Sequence, residues 1–143
     1  MPYKIWKAFA YALLLWLIGF VWGSIVFMTP GLKQVSPIPY VSSNPAISLP
    51  ILILWLIFTP LLTRNYLKGA NDKIAEGLKL GLVLSIINGL LDLLVLVILL
   101  HAGFGYFVSL TVWIGYLILF VIPLLKGRSY AASLHGPLKR DGL

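Results

Sequence analysis

The stretch LKLGLVLSIINGLLDLLVLVILL, residues 78–100, holds 17 leucine, isoleucine and valine residues among its 23 positions. A helix needs about 20 mostly apolar residues to cross the hydrocarbon core of a bilayer. The acid within this stretch, Asp92, costs about 2.5 to 3.5 kcal/mol on insertion, whereas each large aliphatic residue returns about 0.3 to 0.6 kcal/mol. Because the summed aliphatic gain exceeds the cost, the stretch predicts a transmembrane helix.

The rest of the chain has the same character. Of its 143 residues, 60% are hydrophobic and only 10% are charged, with a mean hydropathy of +0.99. A water-soluble domain carries about a quarter of its residues as charges, so this composition excludes that class. Three further apolar stretches, 8–28, 46–63 and 104–125, are long enough to span a bilayer. We therefore predict an all-α integral membrane protein, a single domain over 1–143 built as a four-transmembrane-helix bundle.

The segments between the predicted helices carry helix-end signals. The loop 29–45 contains four prolines and is expected to be extended and outside the bilayer. Asn44 and Pro45 read as an N-cap followed by proline at the first helical position. Gly69 is suited to close the second helix, and Asn71 or Asp72 to cap the third. A tight turn is therefore predicted between helices two and three.

The basic residues are distributed unevenly about the predicted spans. Ten lysines and arginines fall in the N-terminal segment, in the turn between helices two and three, and in the tail 126–143, whereas Lys33 alone falls in the opposite loop. Basic loops remain in the cytoplasm, so we expect both termini to be cytoplasmic in a multi-pass protein of the cell membrane. The net charge of +7 then indicates anionic lipid headgroups as partners, and no nucleic acid.

Small residues mark one face of the third predicted helix. Gly81, Ser85 and Gly89 recur every four residues and form a ridge that another helix can approach closely. Helix one offers Gly19 and Gly23 at the same spacing, and we expect the two ridges to pack together. The four tryptophans within the spans are interpreted as packing residues: Trp16, Trp22, Trp55 and Trp113.

Ser85, Asn88 and Asp92 form a polar stripe beside this ridge and are the candidate intramembrane site. No lysine, arginine or histidine lies at the depth of Asp92 in any predicted span, and such acids usually face a bundle interior or a cavity. Three interpretations remain open. In the first, Asp92 is a protonated interhelical contact bonded to groups such as Asn88, Ser24 or Tyr116. In the second, it is a proton or ligand site. In the third, it contacts another chain. The first is favoured.

Residues that would support enzymatic chemistry are sparse. The chain has no cysteine, and its two histidines, His101 and His135, are expected on opposite sides of the membrane. With only Asp92 inside the membrane, a catalytic carboxylate pair is not expected. We therefore expect no metal, no cofactor and no enzyme. The sequence favours a non-catalytic subunit or assembly partner of a membrane complex, with other subunits or copies of itself. The alternative is a small oligomeric transporter or channel that uses Asp92 as a proton or cation site.

Overall fold

Four helices make up the protein in a computed structural model that describes residues 2–29, 45–101 and 103–134. They are α1 (Pro2–Met28), α2 (Pro45–Leu67), α3 (Lys73–Leu91) and α4 (Leu110–Leu134). A π-helical segment, Asp92–Leu99, continues α3, and a 3₁₀ turn, Phe104–Val108, precedes α4. All four helical spans are long and apolar enough to cross a membrane. The predicted all-helical, four-span architecture is confirmed in this part of the chain.

The helix bounds differ from the predicted spans in both halves of the molecule: α1 begins at Pro2, before predicted residue 8, and α2 ends at Leu67, after predicted residue 63. The third helix begins at Lys73, before the predicted apolar span 78–100 and directly after the predicted cap Asp72. The helix predicted over 104–125 begins instead at Leu110, after the 3₁₀ turn and the extended residue Ser109, and continues to Leu134. Part of the predicted basic tail is thus helical. Most of the predicted outer loop and the last nine residues of the tail lie outside the described residues.

The turn between α2 and α3 is built as its sequence predicts. Gly69 adopts a φ of 69°, a left-handed conformation that ends α2 at little cost for glycine. The Asp72 side chain accepts hydrogen bonds from the backbone amides of Ile74 and Ala75, at 3.1 and 2.9 Å. The Lys73 ammonium donates to the carbonyls of Leu67 and Ala70, both at 3.0 Å. Part of the free backbone groups at each helix end is therefore satisfied by side chains of the turn.

The start of α1, the end of α2, the start of α3 and the end of α4 meet at one end of the bundle. The Lys7 ammonium donates to the Asn65 carbonyl at 3.2 Å, and the Tyr66 hydroxyl donates to Glu76 at 3.3 Å. Every lysine and arginine in the described ranges lies in these segments: Lys4, Lys7, Arg64, Lys68, Lys73, Lys79, Lys126 and Arg128. We call this the basic end.

Helices α3 and α4 touch backbone to backbone near the basic end. A Cβ atom placed on Gly77 would lie 2.5 Å from the Pro123 carbonyl oxygen, and one on Gly81 would lie 2.6 Å from that of Phe120. Gly127 meets the backbone of Lys73 in the same way. Only glycine permits such an approach, and close approach is the main source of helix association in lipid. This contact is the most extensive between any two helices of the described chain.

The remaining helices pack through large side chains. Trp55 of α2 lies between α1 and α4: its indole donates to the Leu15 carbonyl at 3.2 Å, and its ring fills the space beside Gly115. Leucines at the centre, among them Leu80, Leu84 and Leu119, are fully buried. Outside, an exposed apolar stripe runs along α3 and its π-helical continuation, at Leu82, Ile86, Leu90, Leu94 and Ile98. An apolar exterior over a packed interior is the arrangement that a lipid environment permits.

Candidate functional site

Asp92 is buried and accepts hydrogen bonds from three side chains. The Trp16 indole donates to Oδ1 at 2.8 Å. The hydroxyls of Tyr106 and Tyr116 approach Oδ2 at 2.8 and 2.5 Å. Only 5% of the Asp92 surface is exposed. We call Asp92, Trp16, Tyr106 and Tyr116 the Asp92 cluster.

Each member of the cluster comes from a different element. Trp16 lies in the middle of α1, Tyr116 in the first half of α4, and Tyr106 in the 3₁₀ turn between α3 and α4. Asp92 is the first residue of the π-helical segment, where the hydrogen bonding changes to the wider i→i+5 pattern; the Leu100 amide, for example, donates to the Val95 carbonyl at 2.9 Å. π-helical turns are rare and frequently occur at functional sites.

The geometry of the cluster accommodates two protonation states of the acid. The Trp16 indole N–H can only donate, so Oδ1 is an acceptor whether or not Asp92 carries a proton. A tyrosine hydroxyl can donate or accept. At Oδ2, therefore, a carboxylate accepts from both tyrosines, whereas a protonated acid donates to one of them. The two states therefore differ in the direction in which a tyrosine hydroxyl points.

A cavity of about 20 Å³ adjoins the acid. Its other lining residues come from three elements: Trp16, Gly19 and Phe20, Ile51 and Trp55, and Tyr106. The volume is enough for about one water molecule. The Trp16 and Phe20 rings, which line this cavity, are stacked with their centroids 5.1 Å apart. The site therefore combines an acidic group with space for a water or a small ion.

Two of the three proposed partners of Asp92 lie elsewhere. The amide of Asn88 donates to the carbonyls of Ala12 and Leu84, at 3.2 and 2.8 Å, and Ser24 donates to the carbonyl of Phe20 at 2.9 Å. The predicted bond between Asn88 and Asp92 is therefore wrong, because Asn88 tethers α3 to the backbone of α1. The Asn88 side-chain oxygen is buried and accepts no hydrogen bond from the described residues. Of the three, only Tyr116 bonds to the acid.

Ser85 and the ridge glycines belong to a different interface from the predicted one. The Ser85 hydroxyl donates to the Tyr116 carbonyl at 3.1 Å, and Gly81 faces the backbone of Phe120, so the ridge packs against α4. The expected contact with helix one is wrong. A Cβ atom placed on Gly89 would lie 3.9 Å from the Tyr116 ring.

Gly19 of α1 does not meet this ridge. A Cβ atom on Gly19 would lie 2.9 Å from the Ile51 side chain, so this glycine packs against α2. Gly23 is buried. Gly19 and the ridge of α3 thus each pack against a different helix from the one predicted.

Trp16 and Tyr106 are the residues of the cluster that sequence reasoning missed. Trp16 was interpreted as a packing residue, and it does stack on Phe20, but its indole also binds an acid 76 residues away. Tyr106 follows Asp92 by 14 residues and reaches it because the chain turns back through the 3₁₀ segment. The only available signal was chemical: an intramembrane acid requires donors, and tryptophan and tyrosine are the donors that apolar helices carry.

Within the described ranges, no group of three histidine, cysteine, aspartate or glutamate side chains is placed to hold a metal ion. No protein-family model, curated protein or solved structure matches the chain. Inferences about the site therefore start from its geometry.

Proposed function

We propose that the protein is a small, non-enzymatic membrane transporter or channel in which Asp92 binds a proton or a small cation. The single observation that supports this is the buried position of the Asp92 carboxyl group, whose partners are three uncharged donors beside a water-sized cavity. Acids within membrane spans commonly mark proton and ion pathways.

Energetic considerations support the same proposal. A buried charge without a counter-charge is expensive, even when hydrogen bonds compensate part of the lost hydration. The lysines and arginines of the described residues all lie at the basic end, well away from the acid. A mobile proton or cation is the counter-charge that such a site attracts.

A non-catalytic subunit of a membrane complex is the second candidate, and the apolar exterior supports it. In the apolar 18-residue segment of each spanning helix, only 28% of the residues are buried inside the chain, so many apolar side chains remain open to lipid, to a second copy or to another membrane subunit. Asp92 itself is a poor candidate for contacting such a partner, because it is 5% exposed and bonded within its own chain.

Flux measurements in reconstituted vesicles test the main proposal. The wild-type protein should dissipate an imposed pH or monovalent-cation gradient, detected with a pH-sensitive or ion-sensitive dye trapped in the vesicles. Asp92→Asn keeps an oxygen for Trp16 but removes the exchangeable charge, so flux should disappear while the protein still folds.

Glu76→Gln is the matched control, since it makes the same chemical change at the basic end, where Glu76 contacts Lys79 and Tyr66. Its flux should equal that of the wild type. A wild-type protein that dissipates neither gradient, but purifies in mild detergent with one partner in fixed ratio, would instead support the subunit function.

The orientation is part of the proposal. The basic end is placed in the cytoplasm by the positive-inside rule, which puts both termini there and the apolar acid-containing half toward the outside. Because the chain has no cysteine, single cysteines report topology directly. Ser42→Cys should react with an impermeant maleimide added to intact cells, whereas Ser133→Cys should react only after lysis. The reverse labelling pattern would show that the orientation is opposite to the proposed one.

A further inference from the structure

A cleft of about 150 Å³ opens at the basic end between α2, the start of α3 and α4. It is lined by Arg64, Leu67, Lys68, Lys73 and Tyr130. Three of these five side chains are cationic, and they come from both sides of the turn between α2 and α3. The cleft is thus a concave positive surface at the membrane end of α2.

No described carboxylate lines this cleft. Asp72 is occupied in capping α3, and Glu76 contacts Lys79 at 3.1 Å and Tyr66 at 3.3 Å. Among the described residues, none of the three cleft cations forms a salt bridge with a carboxylate.

One of the three cations is held in place by the fold. The Lys73 ammonium donates to the carbonyls of Leu67 and Ala70, which places it at the end of α2. An ammonium group has three donors, so one remains after these two contacts. Arg64, in the last turn of α2, and Lys68, the first residue after that helix, are both exposed and both line the cleft.

We propose that this cleft binds a phosphate group, as carried by an anionic phospholipid headgroup or by free inorganic phosphate. A guanidinium pairs with two phosphate oxygens at once, and lysine ammonium groups add point charges. The Tyr130 hydroxyl is an uncharged hydrogen-bond donor, and Leu67 is the apolar residue that lines the cleft. The proposal does not depend on the function of Asp92, which lies in the other half of the bundle.

Thermal unfolding of the full-length protein in a neutral detergent tests the site. Ligands that bind only the folded state raise its unfolding temperature. Phosphatidylglycerol should raise it by about 3 °C or more at saturation, and phosphatidylcholine should leave it unchanged. If millimolar inorganic phosphate produces the same rise, the ligand is a free phosphate group; if only the lipid does, the ligand is a headgroup.

Two double variants with equal loss of charge distinguish lipid binding in the cleft from general attraction to the positive charge of the basic end. Arg64→Gln/Lys68→Gln removes two cleft cations and should abolish the phosphatidylglycerol effect. Lys4→Gln/Arg128→Gln removes one lysine and one arginine outside the cleft and should retain it. An equal loss in both variants, or no rise in the wild type with either probe, would overturn the proposal.

Native mass spectrometry provides a second measurement that does not depend on unfolding. The wild-type protein should retain one phosphatidylglycerol molecule, and the exposed single variant Lys68→Gln should retain less of it. The Asp92→Asn variant should retain as much phosphatidylglycerol as the wild type. A wrong proposal for the Asp92 site can therefore be distinguished from a wrong proposal for the cleft. Equal retention by wild type and Lys68→Gln would contradict the assignment of the cleft.

Discussion

The two ends of the α3–α4 pair are held together in opposite ways. Near the basic end, Gly77 and Gly81 bring backbone against backbone. About two turns beyond Gly81 on α3, a Cβ atom placed on Gly89 would lie 3.9 Å from the Tyr116 ring, an ordinary contact distance. The helices thus open from a backbone contact to a gap filled by an aromatic ring. Small residues at one end of a helix pair leave room at the other for a polar cluster and a cavity.

This difference separates the residues that support the fold from those that support the proposed chemistry. The glycine contact contains no side chain that can rearrange, so substitutions there act on stability alone. The Asp92 cluster consists of side chains with alternative hydrogen-bonding states, so substitutions there can alter proton or ion binding while the fold survives.

The largest effect is expected from Gly81→Leu. The new side chain would meet the Phe120 backbone, which cannot move aside without separating the helices. Overpacking typically costs about 1 to 3 kcal/mol, occasionally more, and we expect the upper part of that range, measured as thermal unfolding in detergent. Gly89→Ala on the same ridge is the control and should cost little. Equal losses of stability at Gly81 and Gly89 would show that α3 and α4 do not move apart along their contact.

Asp92→Leu should have the next largest effect. It leaves the indole of Trp16 and two tyrosine hydroxyls without their shared acceptor, and each buried unsatisfied group costs about 1 to 3 kcal/mol. Because partners found in the unfolded membrane state reduce such costs, we expect about 2 kcal/mol in total. Asp92→Asn retains an acceptor and should cost less than half as much. An Asp92→Leu variant as stable as the wild type would show that the Asp92 cluster does not stabilise the fold.

Tyr116→Phe should destabilise by about 1 kcal/mol, because it removes one hydrogen bond to the acid and leaves the ring packing beside Gly89 in place. Proton or cation flux should fall further than stability does. Trp113→Phe is the matched control: the Trp113 indole binds the Phe107 carbonyl at 2.7 Å on the exposed side of α4. Comparable flux in the two variants would argue against a role for the tyrosine in the site.

The smallest effect is expected from Gly19→Ala. The added methyl group would press on the end of the Ile51 side chain, which can rotate away, so the change should cost less than about 1 kcal/mol. Because Gly19 also lines the cavity, the same methyl group should reduce proton or ion flux if that space is used. Unchanged flux with unchanged stability would place the conducting path elsewhere.

The spans were predictable because a long apolar run has few alternatives to a membrane helix. The ends of α2 and α3 were also predictable, since Gly69 and Asp72 carry local conformational and hydrogen-bonding preferences. The start of α4 was not. Phe104–Val108 is apolar enough to read as the beginning of a helix, and composition does not distinguish a 3₁₀ turn from an α-helical one.

The candidate site was predictable only at its centre. An acid within an apolar run stands out in any sequence, and Asp92 was identified for that reason. Its donors depend on which helices are neighbours, and a ridge of small residues fits any helix that offers a smooth surface. Gly81 and Gly89 were therefore assigned the wrong neighbour, and Asn88 was paired with an acid on its own helix when it bonds to α1.

The origin of the Asp92 donors divides the cluster into a local part and a long-range part. Two of the three donors, Tyr106 and Tyr116, belong to the same α3–α4 hairpin as the acid, and only Trp16 comes from outside it. The hairpin therefore carries two of the three hydrogen bonds to the acid together with the glycine contact, and α1 supplies the third. A displacement of α1 would remove one donor from the acid and leave the other two in place.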